Sequence, residues 1–275
     1  MSSSKLVLHR SLLVVSFVCN NRCKLCGVLS PYYKRPEHFS AKELCTTIKA
    51  YFEVVSYVEK FTLSGGEPLL HSELGQVVKY IKQYKNQFGK LEIITNGKLM
   101  MGKELLEELS GFDKAELLID DYGINSDKCR ELEKQALENA ISVNYRIYYG
   151  ENAHMGGWFD MGDFSKRDRT AEMTQDTYEK CGMRSKRHFG LFIVGSEGHI
   201  CFRSRYVLNS GIEEKKDHMD EFVDFCSNQS VEEKQQIIEA MMNREYAYSA
   251  CAYCWGQGEE LQRYPAGEQM NEERF

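Results

Sequence analysis

Residues 19–26 have the sequence Cys19-Asn20-Asn21-Arg22-Cys23-Lys24-Leu25-Cys26 and directly follow an apolar run over residues 12–18. The cysteine spacing is C-x3-C-x2-C. Three thiolates in one tight loop can bind three irons of a cubane iron–sulfur cluster, and the fourth iron then stays open to a small molecule. Zinc sites are usually closed by four protein ligands, and the nearest histidine that follows is His38. The alternative to an iron–sulfur cluster is that these three cysteines bind zinc or are simply buried thiols.

The first part of the chain alternates between strand-like and helix-like patterns, which predicts an α/β fold. The β-favouring runs cover residues 12–18, 60–64, 91–95, 115–120 and 142–149. Nearly continuous apolar runs are typical of strands that are buried on both faces of a parallel sheet. Because right-handed β–α–β units repeated in this way curl round, we expect a partial (β/α) barrel of about five to six parallel strands.

Helix signals separate these runs and continue after them. Ser40 with Glu43, and Ser230 with Glu233, have the spacing of capping boxes at helix starts. The predicted helices cover residues 41–57, 72–87, 104–109, 127–140 and 215–226, and one more begins at Ser230. Residues 1–11 are polar, and we expect them to be frayed.

The second strand is followed by Gly65-Gly66-Glu67-Pro68. Two glycines allow a backbone to approach a ligand closely, and the proline fixes the path by which the chain leaves. Glu67 can serve as an anionic partner for an ammonium group. The alternative is a plain turn before a helix.

The cysteine loop after the first strand and the Gly-Gly-Glu-Pro segment after the second together resemble the radical S-adenosylmethionine (SAM) superfamily. The resemblance implies that Cys19, Cys23 and Cys26 bind a [4Fe–4S] cluster whose open iron holds the amino and carboxylate groups of SAM. It also implies reductive cleavage to a 5′-deoxyadenosyl radical, which abstracts a hydrogen atom. Gly65, Gly66 and Glu67 would hold the methionyl amino group. Leu25 stands where the family usually has an aromatic residue, which weakens the adenine contact expected there.

Three further residues are candidates for SAM binding. Asn96 belongs to a Thr-Asn-Gly segment that often lines the SAM pocket in the family, although it is also a turn signal. Asp120, at the tip of the fourth strand, can accept ribose hydroxyls or contact substrate, or it can cap the next helix. Arg146 can hold the SAM carboxylate bidentately if it points inward, and is a solvated charge if it points outward.

A second cysteine set lies near the C-terminus. Its members are Cys181, Cys201, Cys251 and Cys254. Two β-like runs, residues 189–194 and 199–202, flank Gly195-Ser196-Glu197-Gly198 and predict a hairpin that ends near Cys201. Four cysteines can complete the coordination of a cluster or of structural zinc.

This arrangement resembles the twitch subdomain, the shorter relative of SPASM, which carries one auxiliary [4Fe–4S] cluster. We therefore expect residues 1–150 to form the barrel, 151–180 a loop over its mouth, 181–255 the twitch subdomain and 256–275 a mobile tail. The remaining cysteines, Cys45, Cys129 and Cys226, all lie on predicted helices, so a second auxiliary cluster is not expected. Core packing is their expected role, with hydrogen-atom donation as the alternative for Cys226.

Bulk composition excludes several classes of protein. Apolar residues make up 42% and charged residues 28% of the chain, as in ordinary globular domains. The net charge of −6 and the lack of a basic run argue against a nucleic-acid partner. No apolar run approaches the ~20 residues that span a bilayer. Ten cysteines without a secretion signal indicate the reducing cytoplasm.

The family resemblance implies a radical enzyme, and the twitch resemblance favours two-electron oxidation of a small molecule, with the auxiliary cluster as electron acceptor. The first strand begins by residue 12, so we expect no leader-binding domain before it. Crosslinking or epimerisation of a peptide is the alternative, and a cysteine-rich zinc module is the non-enzymatic one. A flavodoxin- or ferredoxin-type protein is the expected reductant.

Overall fold

The computed structural model describes residues 5–184 and 190–270. The strands are β1 (Val7–Ser16), β2 (Tyr57–Gly65), β3 (Phe88–Thr95), β4 (Ala115–Asp121), β5 (Ser142–Ile147), β6 (Trp158–Phe159), β7 (Gly190–Val194), β8 (Glu197–His199), β9 (Phe222–Asp224) and β10 (Arg263–Tyr264). The helices are α1 (Ala41–Val54), α2 (Leu74–Ile81), α3 (Lys103–Leu109), α4 (Cys129–Glu138), α5 (Ala171–Glu179), α6 (Phe202–Asn209) and α7 (Val231–Met242). Within the described residues, no helix is both long and apolar enough to cross a membrane.

An eight-stranded sheet with the order β5-β4-β3-β2-β1-β7-β8-β9 organises the molecule. Strands β1 to β5 pair in parallel, and β7 pairs in parallel with the other edge of β1. Strands β8 and β9 extend the sheet with antiparallel pairing. The predicted α/β partial barrel is confirmed. Its sixth parallel strand is the first strand of the predicted hairpin, so the hairpin continues the barrel sheet.

Alternation along β1 explains why this strand lies at the centre of the sheet. Leu13 and Val15 pack into the large core between the sheet and the helices, whereas Leu12 and Val14 pack into a second core on the opposite face. Successive side chains of a strand point to opposite faces, so an uninterrupted apolar run fills both cores.

Both predicted capping boxes are present. The Ser40 hydroxyl accepts a hydrogen bond from the backbone N–H of Glu43 at 3.3 Å, and the Ser230 hydroxyl accepts one from Glu233 at 3.1 Å. The two glutamates in turn accept from the backbone N–H groups of their serines. These contacts satisfy N–H groups that a helix start otherwise leaves unpaired.

The structure extends the first strand further toward the N-terminus than the sequence analysis predicts. β1 begins at Val7, and Leu6 and Leu8 are 4% and 1% exposed. The carbonyl of Leu6 accepts a hydrogen bond from the backbone N–H of Ser56 at 2.9 Å. The expectation that residues 7–11 are frayed is wrong because this half of β1 pairs with β2 although its sequence is mixed in polarity.

The predicted helix over residues 215–226 is also wrong. The chain forms α6 directly after β8, then a short 3-10 turn at Lys215–Asp217, then β9. Phe222 and Val223 are buried because β9 pairs with β8 at the sheet edge, which outweighs the local helical tendency.

Two segments expected to lack regular structure contain it. Residues 151–180 include β6 and α5, and Thr170 caps α5 by accepting from the backbone N–H of Met173. β6 pairs antiparallel with β10, so residues 256–270 have defined contacts, unlike the mobile tail expected from composition.

Replacing Leu8 with alanine tests the extended β1. We expect Leu8→Ala to lower the thermal unfolding midpoint of the reconstituted protein by several degrees, because removing a buried leucine side chain costs about 2–5 kcal/mol. Val7 is 48% exposed and serves as the matched control. Equal, small shifts for Leu8→Ala and Val7→Ala would contradict a buried start of this strand.

Candidate active site

One cavity of about 370 Å³ lies at the carboxyl ends of the barrel strands. Both cysteine sets reach it. The thiols that line it are Cys19, Cys23, Cys26, Cys181, Cys201, Cys251 and Cys254. Cys45, Cys129 and Cys226 are not among the lining residues. The fold therefore brings together all seven cysteines predicted as ligands and leaves the other three elsewhere.

Hydrogen-bond donors approach the sulfur atoms of the N-terminal set. The backbone N–H of Asn21 lies 3.4 Å from Cys19 Sγ, and the side-chain amide of Gln269 lies 3.3 Å from Cys23 Sγ. Burial raises the pKa of the Cys19 thiol to about 12 and that of Cys23 to about 11. The free thiols therefore hold protons that bound iron must displace. Donors directed at sulfur are typical of cluster ligands, so this loop fits a [4Fe–4S] group.

The second set has the same kind of surroundings. Cys201 Sγ accepts from the backbone N–H of Ser204, and Cys254 Sγ accepts from that of Gly256, both at 3.3 Å. In residues 5–184 and 190–270, no three His, Cys, Asp or Glu side chains are grouped so that they could hold one metal ion. The charges of Cys181, Cys201, Cys251 and Cys254 act on one another, so these four thiols lie near each other in the cavity wall.

Gly65 and Gly66 bring the end of β2 against the start of the cysteine loop. The Gly66 N–H donates to the carbonyl of Ser16 at 2.7 Å, and the Glu67 N–H donates to that of Val18 at 2.9 Å. A Cβ atom on Gly66 would lie 2.2 Å from the Val18 oxygen. Both glycines line the cavity. In the structure it is protein backbone that approaches them closely, and this contact alone already requires glycine at these positions.

The Glu67 carboxylate lies behind the cavity wall. It is fully buried and accepts hydrogen bonds from the Leu69 N–H at 2.9 Å, the Thr95 hydroxyl at 2.8 Å and the Asn96 N–H at 2.8 Å. Burial raises its pKa to about 7. Glu67 joins the ends of β2 and β3 and is not among the residues that line the cavity. The predicted ammonium contact stays a prediction.

Asn96 links the end of β3 to the cysteine loop and lines the cavity. Its side-chain amide donates to the Asn20 side-chain oxygen at 2.7 Å and lies 3.8 Å from Cys19 Sγ. The predicted turn and the predicted cavity position are therefore both present at this residue.

Asp120 and Arg146 form a bidentate ion pair inside the barrel. Arg146 Nε lies 2.6 Å from Asp120 Oδ1, and Nη2 lies 2.7 Å from Oδ2. Burial lowers the pKa of Arg146 but the Asp120 carboxylate raises it more, so the guanidinium stays charged. Both residues line the cavity, and Lys128 rather than Asp120 precedes α4 at its N-cap. Asp120 therefore faces the cavity and does not cap α4, and Arg146 points inward and not toward solvent.

The segment over residues 151–180 contributes aromatic and sulfur-containing walls that the sequence could not assign. Trp158 lies edge-on to Tyr122 with ring centroids 5.4 Å apart, and Met155 and Met161 line the same cavity. These contacts depend on the β6–β10 pairing, which has no short-range sequence signal.

Residues 267–270, the C-terminal strap, lie against the cysteine loop. The Lys24 N–H donates to the carbonyl of Glu268 at 2.8 Å, and the Met270 N–H donates to that of Arg22 at 2.7 Å. Gln269 uses its side chain twice, since its oxygen accepts from the Arg22 N–H and its amide donates to Cys23 Sγ. No sequence pattern indicates this contact, because the segment is polar and distant from the cysteine loop along the chain.

Cys226 lies outside the cavity. It is exposed in the turn that follows β9, and its N–H donates to the Asp224 carboxylate at 3.0 Å. Both the predicted helix and the expected core burial are wrong at this position. Cys129 is buried at the start of α4, and Cys45 is partly buried on α1.

A family model described as "Radical SAM superfamily" matches residues 13–152, about half of the chain. The chain belongs to the radical SAM superfamily. It is therefore an enzyme of a family that uses SAM and a [4Fe–4S] cluster, which argues against the zinc-module alternative. The matched region contains the cysteine loop, the Gly-Gly-Glu-Pro segment, Asn96, Asp120 and Arg146.

Curated relatives match parts of this chain. It is 42% identical over 94 residues to the GTP 3′,8-cyclase of Rippkaea orientalis, covering 32% of this chain and 28% of that protein. It is 32% identical over 127 residues to the GTP 3′,8-cyclase of Campylobacter jejuni subsp. doylei, covering 45% and 38%. An S-adenosylmethionine-dependent nucleotide dehydratase of Selenomonas ruminantium is 31% identical over 104 residues, covering 37% and 35%. The matched regions thus span about a third of these relatives' lengths.

Solved structures that match this chain include BtrN in complex with AdoMet and 2-DOIA. Its TM-score is 0.46 at 16% identity, with 94% of this chain and 98% of that chain covered. Streptococcus suis SuiB has a TM-score of 0.45 at 12% identity, with 88% and 67% covered.

Gly66→Ala tests the backbone contact behind the cysteine loop. The added Cβ overlaps the Val18 carbonyl, so we expect the loop to shift and iron incorporation to fall by about half or more. Iron assay after anaerobic reconstitution measures this. Gly27→Ala is the matched control, because a Cβ there has nothing within 4 Å. Full iron content in both variants would show that the contact does not matter.

Gln269→Leu tests the strap. We expect iron to be lost to a chelator about 10-fold faster than from the wild type, because the Cys23 sulfur loses a donor and the loop loses a partner. Glu268→Gln removes an exposed ion pair with Lys24, which is worth little, but keeps the backbone pairing and the donor to Cys23, so it should retain iron like the wild type. Identical rates for Gln269→Leu and the wild type would contradict a role for the strap.

Proposed function

We propose that this radical SAM enzyme oxidises a small molecule by two electrons, with a second [4Fe–4S] cluster as the electron acceptor. The observation that carries the proposal is the shared cavity, since the N-terminal and C-terminal cysteine sets line the same space. A substrate radical formed in that space lies between the two sets of ligands. Cys181, Cys201, Cys251 and Cys254 would supply all four ligands of the second cluster, which suits electron transfer.

The first cluster, when reduced, supplies the electron that splits SAM into methionine and a 5′-deoxyadenosyl radical. The residues of this chain would bind the cluster and SAM and orient SAM toward the substrate. Cys19, Cys23 and Cys26 would hold three irons, and the backbone at Gly65 and Gly66, which lines the cavity, would hold the methionyl end of SAM. Asp120 can accept ribose hydroxyls, while the guanidinium of Arg146 can hold a carboxylate.

The walls of the cavity protect the chemistry from water. Tyr122, Tyr148 and Trp158 pack together in the cavity wall, with the ring centroids of Tyr122 and Tyr148 stacked 5.1 Å apart. Excluding solvent prevents a carbon radical from being quenched before the intended hydrogen is abstracted. A flavodoxin- or ferredoxin-type protein would supply the reducing electron.

Iron counting tests the assignment of the two cysteine sets. We expect about eight irons per chain in the wild type and about four after replacing the four C-terminal cysteines with alanine. That variant should still form 5′-deoxyadenosine with dithionite and SAM, whereas Cys19→Ala/Cys23→Ala/Cys26→Ala should form none. About four irons per chain in the wild type, or zinc bound by the C-terminal set, would contradict the assignment of a second cluster.

Incubation in heavy water separates the reaction classes once a substrate is found. Oxidation should yield a product two hydrogens lighter without deuterium at carbon. Deuterium retained at carbon would instead indicate epimerisation, and would contradict the proposed oxidation.

A further inference from the structure

Charge inside the cavity has the opposite sign to the charge of the whole chain. The net charge of the protein is −6. The charged side chains that line the cavity are three cations and one carboxylate, namely Arg10, Arg146, Arg203 and Asp120. Cysteine thiolates that bind iron would offset part of this charge, so the attraction of each arginine for an anionic ligand depends on its own surroundings.

Two of these arginines already have assigned partners. Arg146 pairs with Asp120. Arg203 donates to the carbonyls of Gly162 and Asp163, both at 2.7 Å, and lies near enough to Cys201 and Cys254 to interact with their charge. Arg146 therefore belongs to the proposed SAM site, and Arg203 to the second cysteine set.

Arg10 is different. Within the described residues its guanidinium makes no salt bridge, and its ring contact is with Phe192, 5.9 Å from the centroid. The carboxylate of Glu92 attracts it, but Glu92 already accepts from Lys60 Nζ at 2.7 Å and from the Thr62 hydroxyl at 3.0 Å. Burial lowers the pKa of Arg10. A charge removed from water without a close partner is unfavourable unless a ligand compensates for it.

The sheet is built to admit this side chain. Gly190 on β7 lies opposite Arg10 on β1, and a Cβ at Gly190 would lie 2.4 Å from Arg10 Cγ. Arg10 is six residues before Ser16 at the end of β1, which is about 20 Å along an extended strand. The backbone of Arg10 therefore enters the cavity wall well before the end of β1, where the cysteine loop begins.

We propose that Arg10 binds an oxyanion, a phosphate or carboxylate group, at the end of the substrate remote from the carbon that reacts. A guanidinium suits either group because its planar N–H donors can bind two oxygens at once. This inference rests on the proposed function, since it assumes that a substrate occupies the cavity beside SAM. It deepens that proposal by assigning the substrate to anionic small molecules.

Residue-specific modification of the reconstituted holoenzyme tests the site directly. Phenylglyoxal reacts with accessible guanidinium groups, and mass spectrometry of peptides gives a rate for each arginine. We expect Arg10 to react in anion-free buffer and to be protected about 10-fold by inorganic phosphate or acetate at ten times its dissociation constant. Glucose, a neutral probe, should give no protection. Arg130, which is exposed on α4, is the internal control and should react equally throughout.

The two anions distinguish the chemical sources. Protection at lower phosphate concentration indicates a phosphorylated substrate, and protection at lower acetate concentration indicates a carboxylic acid. An Arg10 that never reacts, or whose rate neither anion changes, overturns the proposal. In the Arg10→Gln variant, with iron content as the check on folding, calorimetry should show at least about 10-fold weaker binding of the protecting anion. None of these measurements requires SAM cleavage, so their failure is distinguishable from failure of the proposed oxidation.

Discussion

The contact between the end of β2 and the start of the cysteine loop is the constraint on which the site depends. Two backbone hydrogen bonds, from Gly66 to Ser16 and from Glu67 to Val18, fix the loop against the sheet. Glu67 then extends the contact to β3 through Thr95 and Asn96, and Asn96 reaches Asn20 in the loop. A loop of three thiols is flexible by itself, and here the ends of two strands hold it at the cavity.

The second constraint is the parallel pairing of β7 with β1. It brings the C-terminal part of the chain back to the free edge of the central strand, so that the hairpin over β7 and β8 ends at Cys201 beside the cavity. The second cysteine set therefore lies in the same space as the first because of sheet topology. The strap and β10 add further C-terminal contacts around that space, and Gln269 reaches a predicted cluster ligand.

Patterns with short-range physical causes could be predicted from the sequence. The parallel strands follow from continuous apolar runs, the starts of α1 and α7 from serine and glutamate at fixed spacing, and the cavity cysteines from their own spacing. What could not be predicted depends on contacts between distant segments. The first half of β1 is mixed in polarity but pairs with β2, and Phe222 lies in an edge strand because β8 is beside it. Without the sheet in place, the carboxylate of Glu67 could not be assigned to three protein donors, nor the Arg10 side chain to the cavity wall.

Electron–nuclear double resonance on the reduced protein, with SAM carrying 15N at its amino group, tests the central claim most directly. If Cys19, Cys23 and Cys26 leave one iron open for SAM, the cluster signal should show hyperfine coupling to the labelled nitrogen, and the coupling should disappear with unlabelled SAM. A reduced cluster with full iron content and no such coupling would contradict the account, because every role assigned to the cavity assumes that SAM binds at that iron.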